Sequence, residues 1–238
     1  MIIIRLLIKF EPKDYIKYSE IDKYTIQGFI YSLLRNDPLF SNFHNQIGFK
    51  FFNFSNIFSV SDFEKNSLKN LIISSPNDDL IKALFNQLKD KNFFRLKNYK
   101  MELLKVQLLR NKNCSKFITA TPIVLFEDNK NNKYYSFKQN SDFNFFFERL
   151  KDNAVKKYNA FYDNDFSLES ELFTNFEFGR EVSIRLSKNN NQFIVIGSLW
   201  KNLEFNLTSQ NKDFYNFLFQ NGLGEKNSLG FGFLNCRK

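Results

Sequence analysis

The feature that most constrains the fold is a pattern of hydrophobic periods that runs through the chain twice. The opening segment alternates: Ile2, Ile4, Leu6, Ile8 and Phe10 share one face of a strand, with Arg5 and Lys9 on the other. "EIDKYTIQGFIYSLLRNDP" then predicts a helix whose stripe is Ile26, Phe29, Ile30, Leu33 and Leu34, ended by Asp37-Pro38. "GFKFFNFSNIF" reads as a strand and "NLIISS" as a shorter one. "NDDLIKALFNQLKD" predicts a second helix, with acidic residues in its first turn and a stripe of Leu80, Ile81, Leu84, Phe85 and Leu88. "YKMELLKVQLL" closes the half as a strand. The order β-α-β-β-α-β is the ferredoxin-like split motif.

The second half repeats that order. "KFITATPIVLF" is a strand, "YYSF" a short extra one, and "SDFNFFFERLKDNAVKKYNAFY" a helix. Two long strands follow, "ELFTNFEFGREVSIRL" and "QFIVIGSLWKNLEFNL", joined by the polar turn "SKNNN". A helix, "NKDFYNFLFQN", leads into a glycine-rich window, and "GFGFLNC" is the last strand. The expected architecture is α+β: two tandem ferredoxin-like (RRM-like) domains, residues 1–112 and 113–238, meeting in the basic stretch "RNKNCSK".

Composition supplies enough apolar material for both. Hydrophobic residues make up 43% of the chain and include 32 phenylalanines, an excess shared with Ile, Asn and Lys, whose codons are also A/T-rich. The net charge of +9 favours polyanionic partners, although the same codon bias accounts for part of the lysine excess. Cys114 and Cys236 stand far apart without metal-ligand spacing, so neither a disulfide framework nor a zinc site is expected, and a reducing cytoplasm fits. "MIIIRLLIKF" is broken by Arg5 and Lys9 and lacks a cleavage site, so it reads as a strand rather than a signal peptide. No window approaches the ~18 uncharged apolar residues of a membrane helix.

The glycine window is "NGLGEKNSLGFGF". It holds Gly222, Gly224, Gly230 and Gly232, four of the chain's 8 glycines. Five residues separate Gly224 from Gly230 and Phe231 follows, which excludes a Walker loop. Asn227 stands where a dinucleotide fingerprint needs its third glycine, and the window follows a helix instead of opening one. Two readings remain. Paired glycines can leave main-chain N–H groups open as an anion cradle, with Lys226 supplying charge and Leu223 and Phe231 anchoring the loop. Alternatively the glycines serve a hairpin or bulge with no ligand.

"GLGEKNSLGFG" resembles the C-terminal glycine-rich loop of the repeat-associated RNA-binding proteins of CRISPR systems, and more narrowly that of their crRNA-processing endoribonuclease, the sixth Cas family. Both glycine pairs, both apolar residues and a basic residue in the spacer match. The tandem ferredoxin-like organisation extends the resemblance over essentially the whole chain. It implies a nuclease that cuts repeat RNA without metal or cofactor, by attack of a ribose 2′-OH on the adjacent phosphate to leave a 2′,3′-cyclic phosphate and a 5′-OH, and that retains its product. Such chemistry needs a base, an acid and positive charge on the phosphate.

The chain has one histidine, His44, followed by Lys50 and preceded by Tyr31. Tyr31 falls about 130° from the centre of its helix stripe, so it is expected to face away from the core. A Tyr, His and Lys in this order resemble the catalytic constellation of some family members. The resemblance assigns His44 as general acid or base, Tyr31 as its proton partner or orienter, and Lys50 as stabiliser of the phosphorane charge. RNA-binding candidates are Gly222, Gly224, Lys226, Gly230 and Gly232, with Arg180 and Arg185 on a long strand. Alternation puts Phe176 and Phe178 on the face of Arg180. The implied partners are CRISPR repeat RNA and crRNA, and other Cas proteins of an effector complex, with no membrane and either a monomer or a homodimer. The competing reading is a non-catalytic RNA-binding subunit of such a complex.

Overall fold

The computed structural model describes residues 3–111, 114–128, 130–131, 133–188 and 191–237. Ile2, the join expected between residues 112 and 113, and the tip of the "SKNNN" turn lie outside the described residues. The chain divides into two compact units. One runs up to Asn111 and takes in Ser228–Gly230; the other carries the remainder through Asn227 and again from Phe231.

The N-terminal unit consists of β1 (Ile3–Pro12), α1 (Lys23–Leu34), β2 (Asn53–Phe54), β3 (Lys69–Ser74), α2 (Asp78–Leu88), β4 (Phe93–Leu96) and β5 (Tyr99–Asn111). Its antiparallel sheet has the order β2-β3-β1-β5-β4. Without β4 this is the ferredoxin-like order. Register is set across the central strand, where Leu6 faces Ile73 on one side and Leu108 on the other. Both helices start where a side chain can satisfy orphan N–H groups: Asp22 accepts from Thr25 N, and Asn77 from Asp79 N and Leu80 N. The expected α1 stripe is buried as read, and in the α2 stripe only Phe85 is left partly exposed.

Three details depart from expectation. The strand expected over "GFKFFNFSNIF" shrinks to Asn53–Phe54, because Phe51 takes φ +42° and leaves the ladder. An extra strand, β4, hairpins onto β5 through Lys97 at φ +53°, a turn that carries no glycine or proline to announce it. Arg5, expected on the outer face, is buried and donates from Nε to Ser74 Oγ at 3.1 Å; desolvation pushes its guanidinium down to about 9.

The C-terminal unit consists of β6 (Lys116–Thr119), β7 (Phe126–Asp128), β8 (Lys133–Tyr134), α3 (Phe143–Tyr162), β9 (Asn175–Lys188), β10 (Asn191–Glu204), α4 (Lys212–Asn221) and β11 (Leu234–Cys236). The sheet order β11-β6-β10-β9 is again ferredoxin-like, and β7-β8 form a separate two-stranded hairpin. The phenylalanine excess has a structural use here. Trp200 lies 5.1 to 6.0 Å, ring centre to ring centre, from Phe137, Phe143, Phe146, Phe147, Phe176 and Phe178.

Two corrections follow from strand pairing. The long strand expected over "KFITATPIVLF" stops at Thr119, since Pro122 has no N–H to donate; beyond it Ile123 makes an isolated bridge to Ser198, and Phe126 opens β7. The cysteines, expected to be unpaired, form a disulfide. Pairing of β11 with β6 brings Cys236 opposite Phe117 and sets the Cα atoms of Cys114 and Cys236 5.9 Å apart. Among the described residues no helix is long and apolar enough to cross a membrane.

Candidate functional site

After α1 the chain turns through a 3-10 segment, Phe43–Asn45, that carries His44. His44 is exposed, and the Tyr31 ring approaches it edge-on with centroids 4.8 Å apart. Tyr31 does not face away from the core as its helical angle implied. It is half-buried against Phe43 and Phe52, because the chain after α1 folds back over that flank. Burial raises the pKa of its hydroxyl, which keeps the phenol protonated.

Lys50 closes the turn. Its ammonium donates to the carbonyls of Phe43 (2.8 Å), His44 (3.2 Å) and Gln46, which together occupy its three N–H donors. Desolvation lowers its pKa. In the RNA-free protein Lys50 thus organises the backbone that bears His44. On the imidazole, Nδ1 lies 3.1 Å from Asn45 Oδ1, and Asn45 Nδ2 donates to Asn42 Oδ1 at 3.0 Å. Asn45 Oδ1 can only accept, so Nδ1–H is the donor, and in the neutral imidazole the lone pair is then on Nε2. Sequence thus placed three residues that one unit does bring together.

The glycine window has another character. Gly222, Gly224, Gly230 and Gly232 are buried, at φ +87°, +67°, +73° and +68°. The expected open N–H cradle is not formed at Gly222 and Gly232. Gly222 N donates to Leu218 O at 2.8 Å and Gly232 N to Pro122 O at 2.7 Å. The strand broken at Pro122 supplies the acceptors: Glu225 N meets Val124 O at 2.7 Å and Phe233 N meets Thr121 Oγ1 at 2.8 Å. A Cβ on Gly232 would lie 1.9 Å from Leu223 O, and one on Gly224 2.4 Å from Val124 O. In the N-terminal unit, a Cβ on Gly230 would meet the Phe54 ring at 2.4 Å. Lys226, itself at φ +58°, is half-buried with its ammonium 5.3 Å from the Phe126 ring centre.

Arg180 and Arg185 are both exposed on β9. The expected sharing of a face by Arg180, Phe176 and Phe178 fails at a bulge. Phe178 pairs with Trp200 but Arg180 with Leu199, so Gly179 is extra and the alternation reverses. A Cβ on Gly179 would meet Leu199 O at 2.7 Å, which is why glycine stands there.

Residues 104–236, more than half of the chain, match the family described as CRISPR associated protein Cas6, C-terminal. The chain is also 42% identical over 238 residues to "CRISPR-associated endoribonuclease Cas6 2" of Methanocaldococcus jannaschii, covering 97% of this chain and 98% of that one. The chain belongs to the Cas6 family. A second protein of that organism, "CRISPR-associated endoribonuclease Cas6 1", is 26% identical over 96% of this chain and 91% of its own length. A solved structure described as "CRISPR associated protein Cas6" superposes with a TM-score of 0.72 at 26% identity, covering 99% of each chain. A structure of a Cas6-related protein from Pyrococcus furiosus has a TM-score of 0.71 at 20% identity, over 100% of this chain and 99% of that one, and shares the fold.

Sequence reasoning missed the residues that hold the window of this Cas6 protein in shape. In the C-terminal unit, Lys157 of α3 is buried and donates to Gly224 O and Asn227 Oδ1, both at 2.8 Å. Asn227 Nδ2 in turn donates to Leu223 O and Phe231 O, each at 3.0 Å, and so ties the two ends of the window together. In the N-terminal unit, buried Lys23 donates to Gly230 O at 2.7 Å, and Gln27 Nε2 to Ser228 O at 2.9 Å. Desolvation pushes both lysines down to about 7. A signal existed: Lys157 lies on the same stripe of α3 as Phe146, Leu150, Ala154 and Tyr158, where a lysine has no solvent to reach.

Proposed function

We propose that the chain is a metal-independent endoribonuclease that matures CRISPR RNA by cutting within the repeat and keeps hold of the product. Family membership supports endoribonuclease activity on CRISPR transcripts. The observation that carries the chemistry is the turn that holds the chain's one histidine in solvent, with Tyr31 edge-on and Lys50 braced on the same backbone. His44 Nε2, left with a free lone pair, takes the proton of the ribose 2′-OH. The 2′-oxygen then attacks the phosphorus, and the bond to the 5′-oxygen breaks, giving a 2′,3′-cyclic phosphate and a 5′-OH. Tyr31, kept protonated by burial, gives its proton to the leaving 5′-oxygen, and the His44 imidazolium returns one to it. Lys50 stabilises the developing charge by exchanging one carbonyl for a phosphate oxygen.

RNA is held by the window and by surface cations. Gly222, Gly224, Gly230 and Gly232 act by giving the loop its path, Lys226 by its charge, and Arg180 and Arg185 by contacting phosphates from opposite faces of β9. We assign the reaction to the cytoplasm, where repeat transcripts arise, on the family likeness and not on the cysteines, which pair instead of staying reduced, and the product passes to other Cas proteins. The domain division proposed at residues 112 and 113 leaves His44 with one domain and Lys226 with the other. The test is cleavage of repeat RNA in a chelator. Cutting that persists in EDTA and stops with a 2′-deoxy sugar at the scissile nucleotide is expected. Tight binding without cutting would favour the non-catalytic subunit.

A further inference from the structure

The hairpin β7-β8 is absent from the ferredoxin-like order, and its chemistry has no part in the reading above. Phe126 and Tyr134 pair across it with ring centres 4.8 Å apart and planes 20° from parallel. Both rings are half-buried, and neither belongs to the buried core. Lys226 reaches this pair, its ammonium 5.3 Å from the Phe126 ring centre and 5.8 Å from that of Tyr134. Lys188 is close enough for its charge to oppose that of Lys226.

The arrangement is anchored on both sides. Arg149 of α3 donates to Phe126 O at 3.2 Å, and Glu225 N donates to Val124 O at 2.7 Å, which fixes the loop against the strand leading into β7. Of the nearby acids, Glu127 pairs with Lys133 at 2.6 Å, and Glu225, whose charge favours the Lys226 ammonium, accepts from Asn153 at 2.8 Å. Two aromatic rings thus lie beside the Lys226 ammonium, with the charge of Lys188 within reach of that ammonium, the combination that binds an unpaired nucleotide by stacking its base and holding its phosphate.

We propose that Phe126 and Tyr134 form a stacking subsite for one unpaired base of the RNA, with Lys226 and Lys188 on the adjoining phosphate. This rests on the RNA-processing reading. It also gives Lys226 a specific role, because the ammonium that lies over the aromatic pair in the free protein swings to the phosphate when a base takes its place.

The experiment is fluorescence anisotropy with labelled repeat RNA, comparing wild type, Phe126→Leu, Tyr134→Leu and Lys226→Gln, each with a thermal melt. Leucine keeps apolar bulk and removes the π face. Each leucine variant is expected to raise Kd about 5- to 150-fold with its melting temperature unchanged. Lys226→Gln is expected to flatten the dependence of log Kd on log salt by about one unit. In wild type, 2-aminopurine scanned along the repeat is expected to be quenched at one position, and that quench is expected to vanish in Tyr134→Leu. A Kd within twofold of wild type for the leucine variants would overturn the subsite. So would an affinity loss that accompanies early melting and disappears in the cold, since the rings would then be packing alone. If wild type itself ignores repeat RNA, the functional reading fails before the variants are compared.

Discussion

The His44 turn and the glycine window are built on opposite plans. The turn is exposed, short of regular structure, and braced by one ammonium on three carbonyls. The window is buried, and its backbone is tied by Asn227, Lys157 and the acceptors of a broken strand. Chemistry on a flexible polymer needs the first plan, because the imidazole must meet a phosphodiester that arrives from solvent. A surface that has to keep one shape needs the second, since each buried polar group left unpaired costs about 1–3 kcal/mol. Glycine serves the two differently. Gly48, next to the turn at φ +103°, has nothing within 4 Å of a Cβ, whereas Gly232 has a carbonyl 1.9 Å away.

The largest effect expected lies on the exposed side. His44→Ala should slow single-turnover cleavage about 10²- to 10⁴-fold, a barrier increase of about 3–5 kcal/mol, and leave RNA affinity and melting temperature near wild type. Cleavage at the wild-type rate would remove the turn from the chemistry and end the comparison.

Next comes the same substitution made in both regions. Gly232→Ala should cost about 3 kcal/mol or more in urea unfolding, because left-handed strain adds to a backbone clash. Gly48→Ala should cost only about 1 kcal/mol, from φ alone. Equal costs would show that the window is no more tightly determined than the turn.

The disulfide sharpens the contrast further, since it ties β6 to the strand into which the window leads. Cys114→Ser should lower stability by about 2–4 kcal/mol, given a closed loop spanning a sequence separation of 122. No change in the urea midpoint on reduction would mean that the clip adds nothing to the window's rigidity.

A pH effect should follow from Lys157. Its folded pKa of about 7 lies below the ordinary 10.5, so between those values the unfolded chain binds more protons. Stability should therefore rise with pH above 7, by at most about 1.4 kcal/mol per pH unit from this group. Lys157→Met should flatten that rise between pH 7 and 9, and an unchanged slope would show that the lysine stays charged in its cage of carbonyls. The smallest effects are at the surface. Arg180→Ala and Arg185→Ala should each weaken RNA binding about two- to fivefold at moderate salt, as single exposed phosphate contacts do.

Much of this molecule is legible without coordinates. Period-3.6 stripes located α1 and α2, apolar-rich runs located α3 and α4, and period-2 runs located most strands among the described residues, because such patterns arise from which side of a local element meets the core. The spacing of the window and the Tyr31–His44–Lys50 order singled out the regions described above. Local pattern failed wherever a distant partner decides. Only tertiary pairing makes Gly179 an extra residue and turns Arg180 away from Phe178. Pairing of β11 with β6 joined two cysteines that look unrelated in sequence. Folding of the post-α1 segment covered Tyr31, and the acceptors freed at Pro122 took the N–H groups that a sequence reading leaves open. Local pattern was enough for the helices, most strands and the apolar faces of α1 and α2. The tertiary structure decided where each backbone N–H and each buried ammonium finds its acceptor, because a hydrogen bond depends on atoms that only folding brings within about 3 Å.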